Sequence, residues 1–393
     1  MTETERCAWV QLAFTPYIGA ESFAQLIEHC GSAEAALKAP ASLVAQLGRY
    51  GRQAAAVWHD TYKAKTACEA AFNWEKQPDC RLLLSCDDDF PMRLSEGLTP
   101  PPVLFVRGNA DLLRQASVGI VGSRHATPQA MRIAGDFGRA LSEQNITVIS
   151  GMAAGIDTAA HHGALQGAGS TIAVWGTGID RIYPQSNQKL AYQIAEQGAI
   201  VSEFPLGTRP LAGNFPRRNR LIAGLAQAVL VVEAALESGS LITARLAGEM
   251  GREVMAIPGS IDNPHSKGCH KLIKDGAKLV ECLDDILSEC PELLQKSIES
   301  SGSTQLPTKL STRKRANVSR ENKQPALVEI PSQAVAKVEE NSLLAMMGYD
   351  PIHPDLLAEK CKLATDEIYA QLTELELDGV VAAMPGGRFQ RIK

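Results

Sequence analysis

The sequence predicts an α/β protein whose central parallel sheet is covered by helices on both faces. Short apolar runs alternate with helical segments through the middle of the chain, a pattern typical of a buried parallel sheet. The segments before and after this stretch lack the alternation. We therefore expect a Rossmann-like domain over 82–288, a helical domain over 1–81, a flexible linker over 289–338 and a winged-helix domain over 339–393.

Charge and cysteine usage narrow the class of protein. The net charge of -5 gives no overall attraction to nucleic acid, so binding of a polyanion requires a local basic patch. The nine cysteines form no CxxC pair, which favours reduced thiols in a cytosolic protein without a metal. The acidic start MTETERCAW differs from a signal peptide, and no apolar run is long enough to span a membrane. We expect a soluble, cytoplasmic protein.

The first 81 residues are expected to be helical. A turn at 15–20 precedes the apolar positions Phe23, Leu26 and Ile27, and Gly31 opens a further helix. Two helices joined by a glycine-containing turn form a helix-hairpin-helix unit of the SAM-like kind, whose turn amides bind a phosphate backbone. The turn holds a single glycine, so a plain helical packing domain is the alternative, and it is the one the sequence favours.

The expected sheet has short strands separated by helices at 128–143, 157–166 and 188–197. The strands are predicted at 118–121, 147–149, 171–175, 200–201, 228–232 and 254–257. Ligands of such sheets bind at the carboxyl ends of the strands. Those ends carry Glu233 and four turns: Gly122-Ser123-Arg124, Ser150-Gly151, Gly176-Thr177-Gly178 and Ser238-Gly239-Ser240.

These turns predict an anion site. The first backbone N–H groups of a helix have no partner inside the helix, so a strand, a Gly/Ser turn and a helix start attract anions. Arg217, Arg218 and Arg220 lie close to the Ser238 turn in sequence, and arginine is well suited to phosphate. For Arg124 the alternative is a structural turn with an ion pair, for example to Glu233.

The motifs do not indicate a dinucleotide site, a P-loop, a metal site or a catalytic site. The GIVG run at 119–122 lacks the third glycine and the ribose-binding acid of a dinucleotide site, and no GxxxxGK[ST] motif is present. Asp157, His161 and His162 share one predicted helix; an ordinary helix start is favoured over a metal or acid–base site. Cys269-His270 is a weak nucleophile signal. We expect no catalytic residue, metal or cofactor.

The last 55 residues predict a winged helix, with helices at 343–347, 354–361 and 365–377 and a hairpin at 380–384 and 388–392. The third helix is the DNA reader of a typical member. Residues 365–379 hold five acids and no base, which favours contact with a protein over contact with phosphates. The linker carries one basic run, Arg313 to Arg315.

The motifs together resemble one family. They are GIVGSR (119–124), SGMAAGIDTAAHHGAL (150–165), GTGIDRIYP (176–184), SEFPLG (202–207), FPRRNRLIAGL (215–225), ESGSLITARLA (237–247) and GCHKLIKDGAKLV (268–280). In this order they are similar to the DNA-processing protein A family (DprA, also called Smf), and the resemblance covers about residues 83–288. It implies a homodimer that binds single-stranded DNA, protects it and passes it to RecA in natural transformation, with no established catalytic activity.

The resemblance also implies site residues. Its DNA-binding arginine falls on Arg124 and its Asn-Arg pair on Asn219 and Arg220; a lysine of many members is replaced by Ala154. Resemblance and apolar spacing together place the dimer interface near Leu246 and Leu272. The full set of expected DNA contacts is Gly122, Ser123, Arg124, Ser150, Gly151, Gly176, Gly178, Arg217, Arg218, Asn219, Arg220, Ser238, Gly239 and Ser240.

A second function remains open at this point. Phosphoribohydrolases with a similar fold process nucleotides at a glycine-rich rim, and Glu233 would then be the acid or base. Their PGGxGTxxE motif is not present, because the matching stretch reads EAALESGSLITA. Release of a free base from AMP would distinguish this alternative from DNA binding.

Overall fold

The computed structural model describes residues 1–294, 343–347, 351–361 and 363–392. The chain divides into two compact units, residues 1–299 and residues 300–393. Most of the predicted linker, with its basic run at 313–315, lies outside the described residues. Its first residues pack on the core, since Cys290 and Leu293 are fully buried.

The first unit begins with helices whose core includes Trp9 and Phe23, with ring centroids 4.9 Å apart. The helical prediction is confirmed for this part of the chain. Thr2 caps the first helix by accepting a hydrogen bond from the backbone N–H of Glu5 at 3.2 Å. The helices are α1 (Glu3–Ala13), α2 (Ala20–Cys30), α3 (Ala33–Ala36), α4 (Ala41–Val44), α5 (Gly51–Val57) and α6 (Tyr62–Glu75).

A sheet of nine strands follows within the described residues, in the order β1-β2-β6-β5-β4-β3-β7-β8-β9. The strands are β1 (Cys80–Leu84), β2 (Val103–Gly108), β3 (Ser117–Val121), β4 (Thr147–Ser150), β5 (Thr171–Val174), β6 (Ala199–Ser202), β7 (Ala228–Val231), β8 (Glu253–Ala256) and β9 (Lys278–Leu279). The helices are α7 (Pro128–Glu143), α8 (Ile156–Ala164), α9 (Gln188–Gln197), α10 (Asn214–Leu225), α11 (Ser240–Glu249), α12 (Lys267–Lys274) and α13 (Leu283–Glu289).

The predicted parallel sheet is confirmed from β3 to β9, and α7 and α9 have the predicted bounds. The sheet has two further strands that the sequence did not predict, β1 and β2, and β2 runs antiparallel to both β1 and β6. Antiparallel neighbours need no crossover helix, so β1 and β2 lack the strand–helix alternation that identified the other strands. The domain boundary that we predict between residues 81 and 82 falls inside β1.

The order of the strands reverses between β3 and β7. After β3 the chain adds β4, β5 and β6 on one side, and it then returns to add β7, β8 and β9 on the other. Such a reversal opens a crevice at the carboxyl ends of the two strands, where open α/β sheets bind ligands. Helices cover both faces: α7 and α8 pack on one, and α10 and α11 pack on the other.

The second unit is a winged helix, as predicted. Its helices are Leu343–Met347, Pro354–Cys361 and Thr365–Leu377, and its hairpin is β10 (Val381–Met384) with β11 (Arg388–Arg391). Leu357, Ile368 and Phe389 belong to its core. The five acidic residues of the third helix and the turn after it are exposed. Among all described residues, no helix combines the length and the apolar character needed to cross a bilayer.

The helices α7 and α8 make a close backbone contact through glycine residues. A Cβ added to Gly163 would lie 2.0 Å from the carbonyl oxygen of Gly135, and one added to Gly138 would lie 2.5 Å from that of Ala160. The two helix backbones therefore touch, which is possible only with glycine at these positions. This contact holds α8 against α7, the two helices that cover the same face of the sheet.

We expect Gly163→Ala to lower the free energy of unfolding by about 1–3 kcal/mol, because the added methyl group forces α7 and α8 apart. Gly248→Ala in α11 is the matched control, since the nearest atom to the added Cβ would be a methyl carbon of Val254, 3.9 Å away. It should stabilise the protein by about 0.5–1 kcal/mol. Urea unfolding measures both changes, and equal stability of the two variants would contradict the close contact.

Candidate nucleic-acid interface

The Gly122-Ser123-Arg124 loop lies at the switch point between β3 and β7. The backbone N–H of Ser123 donates to the carbonyl oxygen of Glu233 at 2.7 Å. A Cβ on Gly122 would lie 2.6 Å from Ile156, and one on Gly155 would lie 2.3 Å from the carbonyl oxygen of Ser123. Two glycines thus allow the loop to pass between the end of β7 and the start of α8.

Glu233 holds the start of α7. Its carboxylate accepts hydrogen bonds from the N–H of Thr127 at 3.2 Å and from the Thr127 hydroxyl at 2.8 Å. The alternative of an ion pair between Arg124 and Glu233 is not realised, because the Arg124 guanidinium lies over the Phe215 ring and the Glu233 carboxylate is bound to Thr127. Burial raises the pKa of the Glu233 carboxyl group, and the two hydrogen bonds from Thr127 partly offset this rise by favouring the ionised form. The contacts give this side chain a structural task at the N-cap of α7.

Arg124 is exposed and lies over an aromatic ring at the rim. Its guanidinium carbon is 5.4 Å from the centroid of the Phe215 ring. The Tyr183 ring, 45% exposed, lies 5.5 Å from Phe215 at an angle of 41°. A Cβ on Gly176 would approach Phe215 to 2.9 Å, so glycine makes room for this ring. We call Arg124, Phe215 and Tyr183 the aromatic platform.

Sequence reasoning did not identify Tyr183 or Phe215 as site residues. Both stand inside quoted motifs, GTGIDRIYP and FPRRNR, and each follows the carboxyl end of a strand. The sequence feature that could have identified them is an aromatic residue close to arginines at the carboxyl end of the sheet, a combination typical of proteins that bind single strands.

The three arginines of α10 have different environments. Arg218 is 3% exposed, and its guanidinium donates to the carbonyl oxygens of Gly151 and Val174. Burial lowers the pKa of Arg218 to about 10, against the opposing effect of Asp157. Arg217 is exposed and lies 5.4 Å from the centroid of the Phe204 ring. Expectation and structure differ for Arg218, which joins the ends of β4 and β5 instead of facing solvent.

Arg220 and Asn219 connect α10 to neighbouring loops. Arg220 pairs with Glu203 and donates to the carbonyl oxygen of Thr99 at 3.3 Å. The Asn219 amide donates to the carbonyl oxygen of Gly239 at 3.4 Å, so the start of α11 is tied to α10. In that turn the hydroxyl oxygens of Ser238 and Ser240 are 2.7 Å apart.

The predicted residues lie on one rim, but only some of them face outward. Ser150 is fully buried and its hydroxyl donates to the carbonyl oxygen of Ile120 at 2.6 Å, so it cannot contact a ligand directly. Ala154 is exposed. The other buried members of the set are Gly151, Gly176, Gly178, Arg218 and Ser240. The exposed or half-exposed members are Gly122, Ser123, Arg124, Arg217, Asn219, Arg220, Ser238 and Gly239.

Asp157 and His161 have structural contacts. Asp157 accepts hydrogen bonds from the N–H groups of Gly151 at 3.1 Å and Ala153 at 3.2 Å. The His161 Nδ1 atom lies 2.8 Å from the Thr171 hydroxyl, which itself donates to a backbone carbonyl. His161 Nδ1 therefore carries the proton, and complete burial lowers the pKa of the ring to about 3. These contacts fit the interpretation of α8 as an ordinary packed helix.

The architecture, with a Rossmann-like sheet in the first unit and a winged helix in the second, defines a class of multidomain α/β proteins. The family model of the DNA recombination-mediator protein A matches residues 81–291. Two further models match: the DprA winged-helix domain at 329–387 and the DprA-like N-terminal HHH domain at 3–59. The chain belongs to the DprA/Smf family of DNA-processing proteins.

Individual relatives agree with this assignment. Protein Smf of Escherichia coli is 41% identical over 331 residues, which cover 82% of this chain and 80% of that protein. DNA processing protein DprA of Streptococcus pneumoniae is 44% identical over 234 residues, 60% of this chain and 82% of that protein. The X-ray structure of DprA from Streptococcus pneumoniae covers 71% of this chain and 95% of its own, with 36% identity and a TM-score of 0.58.

The match at the N-terminus corrects one expectation. From its single glycine, the turn at 15–20 favours a plain helical packing domain over a helix-hairpin-helix unit. The family model describes residues 3–59 as an HHH domain. The left-handed backbone of the turn is supplied by Tyr17, with φ 68°, a conformation for which glycine is the usual choice. The sequence pattern underrates this turn, because a tyrosine and not a glycine takes the left-handed position.

We expect acid to destabilise the protein through His161. The pKa of this ring is about 3 in the folded state against 6.5 in a free side chain, so the unfolded chain binds the extra proton between these values. The free energy of unfolding is then highest above the unfolded pKa and falls by about 2 kcal/mol between about pH 7 and about pH 5. His161→Gln should flatten this dependence in urea titrations, whereas the exposed neighbour variant His162→Gln should keep it.

Proposed function

We propose that this protein is a recombination mediator that binds single-stranded DNA along the rim of its sheet. The observation that carries the proposal is the aromatic platform at the switch point. An exposed arginine on an aromatic pair offers a cation for a phosphate and a ring surface for a base. Every base has a π face, so such a site accepts a strand of any sequence.

The rim supplies phosphate contacts beside the platform. Arg124 and Arg217 are exposed, and Gly239 is exposed in the turn that precedes α11. Arg220 contributes once a phosphate competes with Glu203 for its guanidinium. Arg218, Ser150 and the buried glycines hold the strand ends in place, so their effect on binding is indirect.

Family membership supports the finer parts of the proposal. We propose that the protein protects the bound strand and helps load RecA on it during natural transformation, and that it acts in the cytoplasm. We also propose that it has no catalytic activity of its own. The environment of Glu233 supports that view, because this residue is 4% exposed and its carboxylate holds Thr127 at the start of α7.

The proposal includes a homodimer that forms through α11 and α12. Leu246 and Leu272 are half-buried and pack against the same hydrophobic cluster. Both helices lie on the face of the sheet opposite α7. A self-complementary contact there would join two rims into a longer track for one strand.

We expect Arg124→Ala to weaken binding of oligo(dT) at least tenfold, because the variant loses a phosphate contact and the cation over Phe215. The slope of log affinity against log salt should become less steep by about 0.7. Gel shifts and fluorescence anisotropy measure both quantities. Arg132→Ala is the matched control, since Arg132 is an exposed arginine of α7 with only a surface ion pair. Unchanged affinity in a folded Arg124 variant would contradict the proposed site.

We expect Leu272→Lys to convert the dimer into a monomer in light scattering, because a charge cannot be buried at an apolar contact without a partner. Met131→Lys is the control, since Met131 is 37% exposed on α7, on the other face of the sheet. Thermal melting identifies any variant that fails to fold. A folded Leu272 variant that remains dimeric would place the interface elsewhere.

A further inference from the structure

The N-terminal helices bring two tight turns together. The first joins α1 to α2 through Tyr17, and the second joins α4 to α5 through Gly48. A Cβ on Gly48 would lie 2.8 Å from the hydroxyl oxygen of Ser22, in the first turn of α2. The second turn therefore packs directly against the element that follows the first.

The two adjacent turns expose aromatic and cationic side chains. Tyr17 is 55% exposed and Tyr50 is 49% exposed. Arg49 lies over the Tyr50 ring, with 5.5 Å between its guanidinium carbon and the ring centroid, and Arg52 follows on the exposed side of α5. The one carboxylate within these two segments, residues 15–22 and 47–54, is Glu21. Two arginines and one acid give these two segments a local charge of +1, in a chain whose net charge is -5.

The fold holds both turns in a fixed conformation. Tyr17 has φ 68° and Gly48 has φ 52°. A Cβ on Gly51 would lie 2.7 Å from the carbonyl oxygen of Val44, so α5 begins in close contact with α4. The Trp58 indole N–H donates to the carbonyl oxygen of Ala39 at 2.8 Å, which fixes the end of the same helix. A preformed surface loses little conformational entropy when it binds.

We propose that this surface, formed by Tyr17, Arg49, Tyr50 and Arg52, is a second contact site for single-stranded DNA. Exposed rings take bases by stacking, and neighbouring arginines take phosphates, without regard to sequence. The inference rests on the proposed function of the rim and extends it, because a strand that reaches both sites binds more tightly than either site allows.

The test compares short and long strands on the full-length protein. Oligo(dT) of about 6 nucleotides fills the rim alone, and oligo(dT) of about 25 nucleotides is long enough to occupy more than one site. For the double variant Arg49→Ala and Arg52→Ala, we expect affinity for the long strand to fall about tenfold. Its salt slope should flatten by about 1.4, which is two phosphates at about 0.7 each. Affinity for the short strand should not change.

Three further variants separate a DNA contact from a structural role. Glu21→Gln removes the nearby negative charge and should tighten long-strand binding about twofold. Tyr50→Ala should weaken it about fivefold, and Tyr50→Phe should restore it, because stacking needs the ring and not the hydroxyl. Tyr62→Ala is the matched control, since Tyr62 is 77% exposed on α6 and stands outside both turns.

Two results would overturn the inference. One is a double variant whose long-strand affinity and salt slope equal those of the control pair Arg132→Ala and Arg139→Ala, which removes two exposed arginines of α7. The other is a loss that is confined to duplex DNA of the same length. A wrong assignment of the rim would give a different result. Arg124→Ala would then leave the affinity for both strand lengths unchanged, while the loss of long-strand affinity in the Arg49/Arg52 variant would still support the second site.

Discussion

The rim depends on one buried cation. The Arg218 guanidinium reaches from α10 to the carbonyl oxygens at the ends of β4 and β5, and it lies against Gly151 so closely that a Cβ there would be 2.6 Å away. An unpaired buried charge is costly, so it persists only with hydrogen bonds and a nearby opposite charge. The carbonyl groups accept the hydrogen bonds, and Asp157 supplies the opposite charge. Because its pKa stays near 10, Arg218 remains a cation at neutral pH.

Neighbouring arginines of α10 have different roles, although the sequence alone does not distinguish them. Successive residues of a helix point about 100° apart, so Arg217 faces solvent while Arg218 points into the sheet. The buried arginine holds the ends of two strands, and the start of α10 then brings Phe215 beneath Arg124. The proposed DNA contacts are therefore few, and much of the conspicuous motif FPRRNR serves to position them.

Sequence reasoning predicted the parts of the fold that have strong local signals. The bounds of α7 follow from Thr127 as N-cap, Pro128 in the first turn and an amphipathic pattern. It missed β1 and β2, because antiparallel strands carry no crossover helix. For the candidate site it predicted turns at the carboxyl ends of the strands, but it did not predict the burial of Arg218 or the pairing of Tyr183 with Phe215. Those properties depend on tertiary contacts, which spacing along the chain does not encode.

The exposed charges of the rim differ from those of the third winged-helix segment. Phosphates are attracted where arginines stand on exposed turns, and the field of an exposed charge is screened within about 8 Å at physiological salt. A net charge of -5 therefore does not prevent DNA binding at a local basic rim. The same short range makes the exposed acids of the third winged-helix segment, Thr365–Leu377, repel any strand that approaches them. That helix is better suited to a basic protein surface than to a DNA groove, which favours a partner-binding task for the second unit.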